Sequence, residues 1–219
     1  MSAVAGAFVD HVFRDVAAPG AEIERGEYER VRFEGCTFTG ARFVGCHFDD
    51  VVFANCELTT ASFLNSTLRG VRFTSCRVMG VNWTNVRPTL LSLGFERCRL
   101  DNSTFSGMKL RGLVLAECGL LGVDFTSCDL PGARFPACEM SGATLRHAVL
   151  DNADLTGTRG CFFDARTCKT SGTRIDIAMA AQLVRDLGMV CPDLDSMFSP
   201  AEPSPARGFG TAPPRRARR

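Results

Sequence analysis

Large apolar residues recur at every fifth position over most of this chain. Eleven consecutive fifth positions are large and apolar from Phe33 to Trp83, and thirteen more follow from Phe95 to Leu155. A smaller residue, such as Cys36, stands two positions before most of them. A period of five matches neither the α-helix, at 3.6 residues per turn, nor the strand, at 2. It predicts a chain that turns a corner every five residues and points one large and one small side chain inward on each side.

Four such sides close a coil of about twenty residues, and coils that stack by backbone pairing form a parallel β-helix. We expect residues 31–157 to form this rod. At about 4.8 Å per coil, six coils give a length of about 30 Å. The predicted fold is all-β, with one α-helix near the C-terminal end.

The repeat frame is interrupted once. Trp83 and Phe95 lie twelve residues apart instead of ten, so the segment 86–94 contains two extra residues. They form either a small bulge that the stack absorbs or a projecting loop, since insertions in solenoids often map to binding faces. Arg87, Pro88 and Thr89 are the candidate contact residues.

The segments that flank the repeat need separate interpretations. Residues 1–30 are expected to hold an N-terminal cap and the first partial repeats, with a short helix from Ala3 to Val16. Residues 158–191 are expected to form a C-terminal cap with a helix over about 176–187, with Asp176 as N-cap and Gly188 as stop. Residues 192–219 are rich in proline and arginine, which predicts a disordered basic tail.

The predicted helix has more apolar surface than one contact needs. We expect one stripe to pair two protomers, and a simple cap on the open end of the rod is the alternative. The candidate dimer residues follow helical spacing: Ile177, Ala181, Val184 and Leu187.

Composition argues against catalysis. Eight of the 11 cysteines occupy the small inward column, where a free thiol behaves as a small hydrophobe. The cysteines and histidines lack zinc-ligand spacing, so neither a metal nor a cofactor is expected, and a filled rod leaves no room for a substrate. No apolar run reaches about eighteen residues, and no basic segment precedes the mildly apolar start. We therefore expect a cytoplasmic protein with no membrane partner.

Two segments of the repeat resemble the pentapeptide-repeat family, whose motif is A(D/N)LXX. Ala153-Asp-Leu-Thr-Gly matches the motif, and Ala41-Arg-Phe-Val-Gly matches it loosely. The terminal segment from Met179 is similar to the dimerisation helix of the Qnr and MfpA type of quinolone-resistance protein. The resemblance implies a right-handed quadrilateral β-helix that dimerises and binds DNA gyrase or topoisomerase IV as a DNA-shaped competitor. Binding would protect the enzyme from quinolones or inhibit it.

The charge of the chain can be compared with the charge that a DNA mimic requires. The whole chain has a formal charge of +1, and the span from Phe33 to Leu155 has twelve acidic and eleven basic residues. From Leu115 to Leu155, six acids are opposed only by Arg134 and Arg146. We take these acids as the candidate partner surface: Glu117, Asp124, Asp129, Glu139, Asp151 and Asp154. No direct nucleic-acid binding is expected, apart from weak contact by the tail. A generic scaffold for an unrelated protein partner is the alternative function.

Overall fold

A computed structural model describes residues 4–192, which form a right-handed quadrilateral parallel β-helix that ends in one α-helix. The strands are only three or four residues long, because the chain turns a corner every five residues. A 3-10 turn covers Trp83–Asn85. The elements are β1 Ala7–Val9, β2 Val12–Arg14, β3 Glu22–Glu24, β4 Glu27–Glu29, β5 Arg32–Glu34, β6 Arg42–Val44, β7 His47–Asp49, β8 Val52–Ala54, β9 Thr67–Arg69, β10 Val71–Thr74, β11 Leu93–Glu96, β12 Val114–Ala116 and α1 Ile177–Asp186.

The four sides of the coil build four faces, which we number in chain order. Face 1 stacks β1, β4, β7 and β9, and its ladder resumes at Lys109. Face 2 stacks β2, β5, β8, β10, β11 and β12 and continues through single bridges to Arg174. Face 3 consists of single bridges from Ala17 to Arg159. Face 4 starts with β3 and β6 and continues through single bridges to Thr144.

The interior of the rod is a set of stacked rings. On face 2, each phenyl ring from Phe13 to Phe95 lies on the next with centroids 4.8–5.0 Å apart and planes within 11° of parallel. Rings on neighbouring faces meet edge to face, as Phe33 and Phe38 do at 5.5 Å. The column predicted from the sequence is therefore the core. Its side chains are buried inside the rod and are not part of the outer surface.

Corner residues take the left-handed conformation. Gly70 has a φ of 64°, and a Cβ there would lie 2.2 Å from Asp50 Oδ1 of the preceding coil. Other corners tolerate a side chain, as Asn65 shows at a φ of 54°, because asparagine enters this region more readily than most residues.

The N-terminal end differs from the prediction. The short helix expected from Ala3 to Val16 is wrong, because β1 and β2 lie there and pair with β4 and β5. Phe13 lies twenty residues before Phe33 and stacks on it. The rod therefore begins well before Val31, since backbone pairing and burial of the ring favour another coil over a helix.

The C-terminal end also extends further than the motif. Backbone pairing continues past Gly157 through Lys169 to Arg174, and Cys168 points its Sγ at the Leu145 carbonyl, 2.9 Å away. The helix begins where expected: the Asp176 side chain accepts a hydrogen bond from the Met179 amide at 3.0 Å. Almost all of the predicted disordered tail, 192–219, lies outside the described residues.

Candidate partner-binding surfaces

The frame break is a bulge confined to face 1. The Arg87 amide still donates to the Ser66 carbonyl and the Ser92 amide to the Leu68 carbonyl, both at 2.9 Å. On the other three faces the register simply changes from 20 to 22 residues, as in the pairing of Phe73 with Phe95. The two extra residues are therefore absorbed between Arg87 and Ser92, and the predicted contact residues Arg87, Pro88 and Thr89 are all exposed.

The bulge lies against the earlier coils of face 1. Thr89 and Leu90 border a recess of about 280 Å³ together with His47, Thr67 and Arg69. His47 Nδ1 and Thr67 Oγ1 are 2.9 Å apart, and Arg69 pairs with Asp49. Leu90 is 70% exposed, so the tip of the bulge presents an apolar side chain to solvent.

The C-terminal helix covers the end of the rod with one side only. Met179 and Ala181 are buried, and Leu183 packs against the core. Ile177 is 50% exposed and Leu187 is 44% exposed. The four predicted dimer residues are thus divided: Ala181 serves the cap, Val184 is half-buried, and Ile177 and Leu187 remain available to a partner.

The six predicted acidic residues do not share one face. Asp124 lies on face 4, Asp129 on face 1, Glu139 on face 3 and Asp154 on face 2, and Asp151 lies in the turn that follows face 1. Glu117 occupies the corner after face 2, with a φ of 54°. The structure therefore surrounds this part of the rod with carboxylates instead of concentrating them on one side.

Two of these carboxylates are already engaged by cations. Glu139 lies 3.5 Å from the Arg159 guanidinium and Asp154 lies 3.1 Å from that of Arg174. Hydrogen bonds from the Thr156 hydroxyl and amide, with the nearby Arg174 charge, hold the pKa of Asp154 below its usual value. The other four carboxylates have no ion-pair partner among residues 4–192, so they carry most of the free negative charge.

The net charge changes sign along the rod and so forms three bands. A count of charged residues that begins at Phe33 does not show this. Residues 4–50 have nine acids and five bases, a net charge of −4. Residues 51–114 have three acids and eight bases, a net charge of +5, and residues 115–155 have six acids and two bases, a net charge of −4. Because the first coils belong to the rod, the acidic stretch found from the sequence has a counterpart at the other end.

The cysteines form a buried column. Six of them lie one above another on consecutive coils of face 3, and the sequence spacing of 20 and 22 residues shows this alignment: Cys36, Cys56, Cys76, Cys98, Cys118 and Cys138. Burial raises the pKa of the Cys128 thiol, on a different face, to about 12. A thiol held neutral in this way is a poor nucleophile and a poor metal ligand.

Neither a metal centre nor a membrane span is found in the described part of the chain. Within residues 4–192, no group of three His, Cys, Asp or Glu side chains is arranged to hold a metal ion. None of the helices found there is both long and apolar enough to cross a bilayer.

Comparison with known proteins agrees with this architecture. A model of the pentapeptide repeat region matches residues 27–89, and a model of pentapeptide repeats matches eight copies over residues 118–157. Two solved structures are trypsin-treated single-substitution variants of QnrB1, a plasmid-mediated fluoroquinolone resistance protein. Each superposes with a TM-score of 0.53 at 22% identity over 85% of this chain, covering 98% and 97% of the QnrB1 chain, respectively. No curated protein matches the sequence. The repeats and the four-sided rod together show that the chain belongs to the pentapeptide-repeat family.

Proposed function

We propose that this protein is a non-enzymatic interaction protein that binds a type II topoisomerase, DNA gyrase or topoisomerase IV, as a partial DNA mimic. The observation that carries the proposal is a filled rod with a terminal helix, which shares its fold with a fluoroquinolone resistance protein along nearly the whole of that chain. A filled rod acts through its outer surface, and a cytoplasmic location would bring that surface to its partner.

The band at residues 115–155 is the proposed contact with the enzyme. Its unpaired carboxylates, including Asp124 and Asp129, lie on different faces and present negative charge around the rod. Pairing of two protomers through Ile177 and Leu187 would bring two such bands toward the centre of a longer rod. The exposed Arg87, Pro88 and Thr89 supply a second candidate contact.

A supercoiling assay with gyrase and a decatenation assay with topoisomerase IV test the proposal. Purified chain is added to gyrase or topoisomerase IV with and without ciprofloxacin, and we expect either restored activity with the drug or inhibition without it. Asp124→Lys/Asp129→Lys should weaken the effect, because it turns attraction to a cationic DNA site into repulsion. Glu24→Lys/Glu27→Lys changes the charge equally at exposed residues near the other end and should keep it. No effect on either enzyme would reject the topoisomerase partner, whereas an effect unchanged in Asp124→Lys/Asp129→Lys would reject only the mimicry.

Dimerisation is tested separately by light scattering. The native chain should scatter as a particle of twice its 23.7 kDa mass. Ile177→Glu/Leu187→Glu should give monomers, because it places charges in the exposed apolar surface of α1. Val9→Glu, at another exposed apolar residue, should leave the dimer intact. A native monomer would leave α1 as a cap only.

A scaffold for an unrelated protein is the second candidate function. It is favoured by the net charge of −1 over residues 33–155 and by the distribution of the carboxylates over four faces. Affinity capture with gyrase and topoisomerase IV as competitors would separate the two, since a scaffold would bind neither enzyme.

A further inference from the structure

Unpaired cations are concentrated around the bulge. Four of the eight basic residues in the band 51–114 form ion pairs with acids: Arg69, Arg77, Arg97 and Arg99. The other four lie close to the bulge in chain order, are exposed and have no ion-pair partner among residues 4–192. We call them the break-flanking cations: Arg72, Arg87, Lys109 and Arg111.

The fold places these four residues on faces 1 and 2 and at the corner between them. Lys109 lies at a bridge of face 1 in the coil that follows the bulge, and Arg111 lies in the turn that leads from there to face 2. Arg87 begins the bulge. Arg72 lies on face 2, two residues past the corner at Gly70.

This edge is also open. Gly94 takes the outward position between Arg72 and Val114 on face 2, so no side chain covers the strand there. The resulting shallow recess of about 360 Å³ is lined by Arg72, Gly94 and the corners Gly70 and Gly112. Of the acids close to it, Glu96 pairs with Arg97 and Asp49 with Arg69, whereas Asp50, beside the Gly70 corner, forms no ion pair among the described residues. Asp129 is the neighbour of Lys109 in the next coil, but it forms no ion pair with it.

We propose that the break-flanking cations bind the phosphate backbone of duplex DNA that crosses the rod. Three of the four are guanidinium groups, whose planar fork matches phosphate oxygens in a bidentate geometry. They lie on an open edge without a cleft that would enclose a peptide, and this favours a broad, rigid polyanion over an acidic segment of protein.

The neighbouring bands set the direction of the DNA. A duplex along the rod would meet the −4 bands at residues 4–50 and 115–155, whereas a duplex across it would lie mainly over the +5 band, which spans three coils, about 14 Å. Arg87 is shared with the second candidate contact of the proposed function, whereas Arg72, Lys109 and Arg111 lie outside both proposed topoisomerase contacts.

Anisotropy of a fluorescent 20-base-pair duplex tests the proposal with the full chain in a salt series. Four phosphate contacts predict a slope of log K against log[salt] of about −3.6. Replacing the four break-flanking cations by Gln should weaken binding at least tenfold at low salt and remove most of the slope. A matched variant with four ion-paired arginines replaced by Gln has the same charge and should lose less than threefold: Arg14, Arg42, Arg77 and Arg159.

A third variant separates the contribution of the C-terminal segment by replacing its five arginines with Gln: Arg207, Arg215, Arg216, Arg218 and Arg219. It should keep the part of the salt-dependence slope that the break-flanking cations contribute. Circular dichroism checks that every variant is folded. Equal losses in the break-flanking and matched variants, or loss in the third variant alone, would overturn the proposal. A variant that keeps Arg87, Arg72→Gln/Lys109→Gln/Arg111→Gln, should weaken duplex binding and leave topoisomerase modulation unchanged, so the two proposals can fail separately.

Discussion

Replacing Trp83 by Phe should leave the rod as stable as it is or make it more stable. Trp83 is the only tryptophan and is fully buried. Its ring lies between Phe63 and Phe105, with centroid distances of 5.4 and 5.7 Å and planes within 10° of parallel. The indole Nε1 is buried and has no acceptor among the described residues, whereas a phenyl ring fills the equivalent position in the adjacent coils.

Two opposing effects decide the outcome of Trp83→Phe. The smaller ring leaves roughly 40 Å³ empty, and at about 24 cal/mol per Å³ this costs about 1 kcal/mol. Removing a buried donor that has no acceptor recovers about 1–3 kcal/mol. We therefore expect Trp83→Phe to raise the free energy of unfolding by about 0–2 kcal/mol. Trp83→Ala, which loses the whole ring, should lower it by about 3–5 kcal/mol.

Guanidinium unfolding followed by far-ultraviolet circular dichroism measures both changes, because Trp83→Phe removes the fluorophore. Phe125→Leu is the matched control, since it reduces volume in the same column without a polar group, and it should cost about 1 kcal/mol. A loss of about 1 kcal/mol or more for Trp83→Phe would refute the reasoning, because the cavity alone would then account for the loss and the cost of the unpaired N–H would be negligible.

Three other predictions concern corners, pH and thiols. Thermal unfolding should show that Gly70→Ala loses more stability than Gly45→Ala, by about 1 kcal/mol, because a Cβ at Gly70 forces the Asp50 side chain to move and one at Gly45 meets open space; equal losses would contradict this. The last coils should lose stability as the pH falls through and below 3.8, because the pKa of Asp154 is lowered in the fold, and Asp154→Asn should flatten that part of the pH profile measured by circular dichroism. Ellman's reagent should reach no native thiols except those of Cys168 and Cys191, since the others are buried, and rapid labelling of a third would show that the coils open.

The centre of the rod could be predicted because the type of residue at each inward position reveals the repeat. An inward position on every side must be filled, so Phe, Leu or Trp marks it even across the two-residue break. The ends are harder because backbone pairing does not require a large inward residue. Beyond Leu155 the frame positions hold Gly160, Ala165 and Thr170, yet the ladder continues to Arg174.

The binding surfaces could be predicted only in part, because a linear sequence does not show which side chains pair. Arg69 and Arg72 look alike in sequence, but only Arg69 meets a carboxylate on the adjacent coil. The acidic stretch from Glu117 to Asp154 was visible as a count, whereas its spread over four faces depends on the twenty-residue coil. Likewise, only the backbone hydrogen bonds show that face 1 absorbs the two extra residues.

The banded charge makes a prediction about how topoisomerase binding responds to salt. The ladder of face 2 takes eight steps from Val12 to Arg174, so the rod is about 38 Å long. A duplex of that length carries roughly 22 charges, whereas residues 4–155 of the rod carry a net −3. Attraction to a DNA site must then depend mainly on the shape of the rod. Raising KCl from 50 to 200 mM should weaken binding to gyrase, measured by surface plasmon resonance, by less than about tenfold. A ligand with 6–10 phosphate contacts loses about 10³–10⁵ over that range, so a loss of 10³ or more would show that charge, not shape, holds the rod in place.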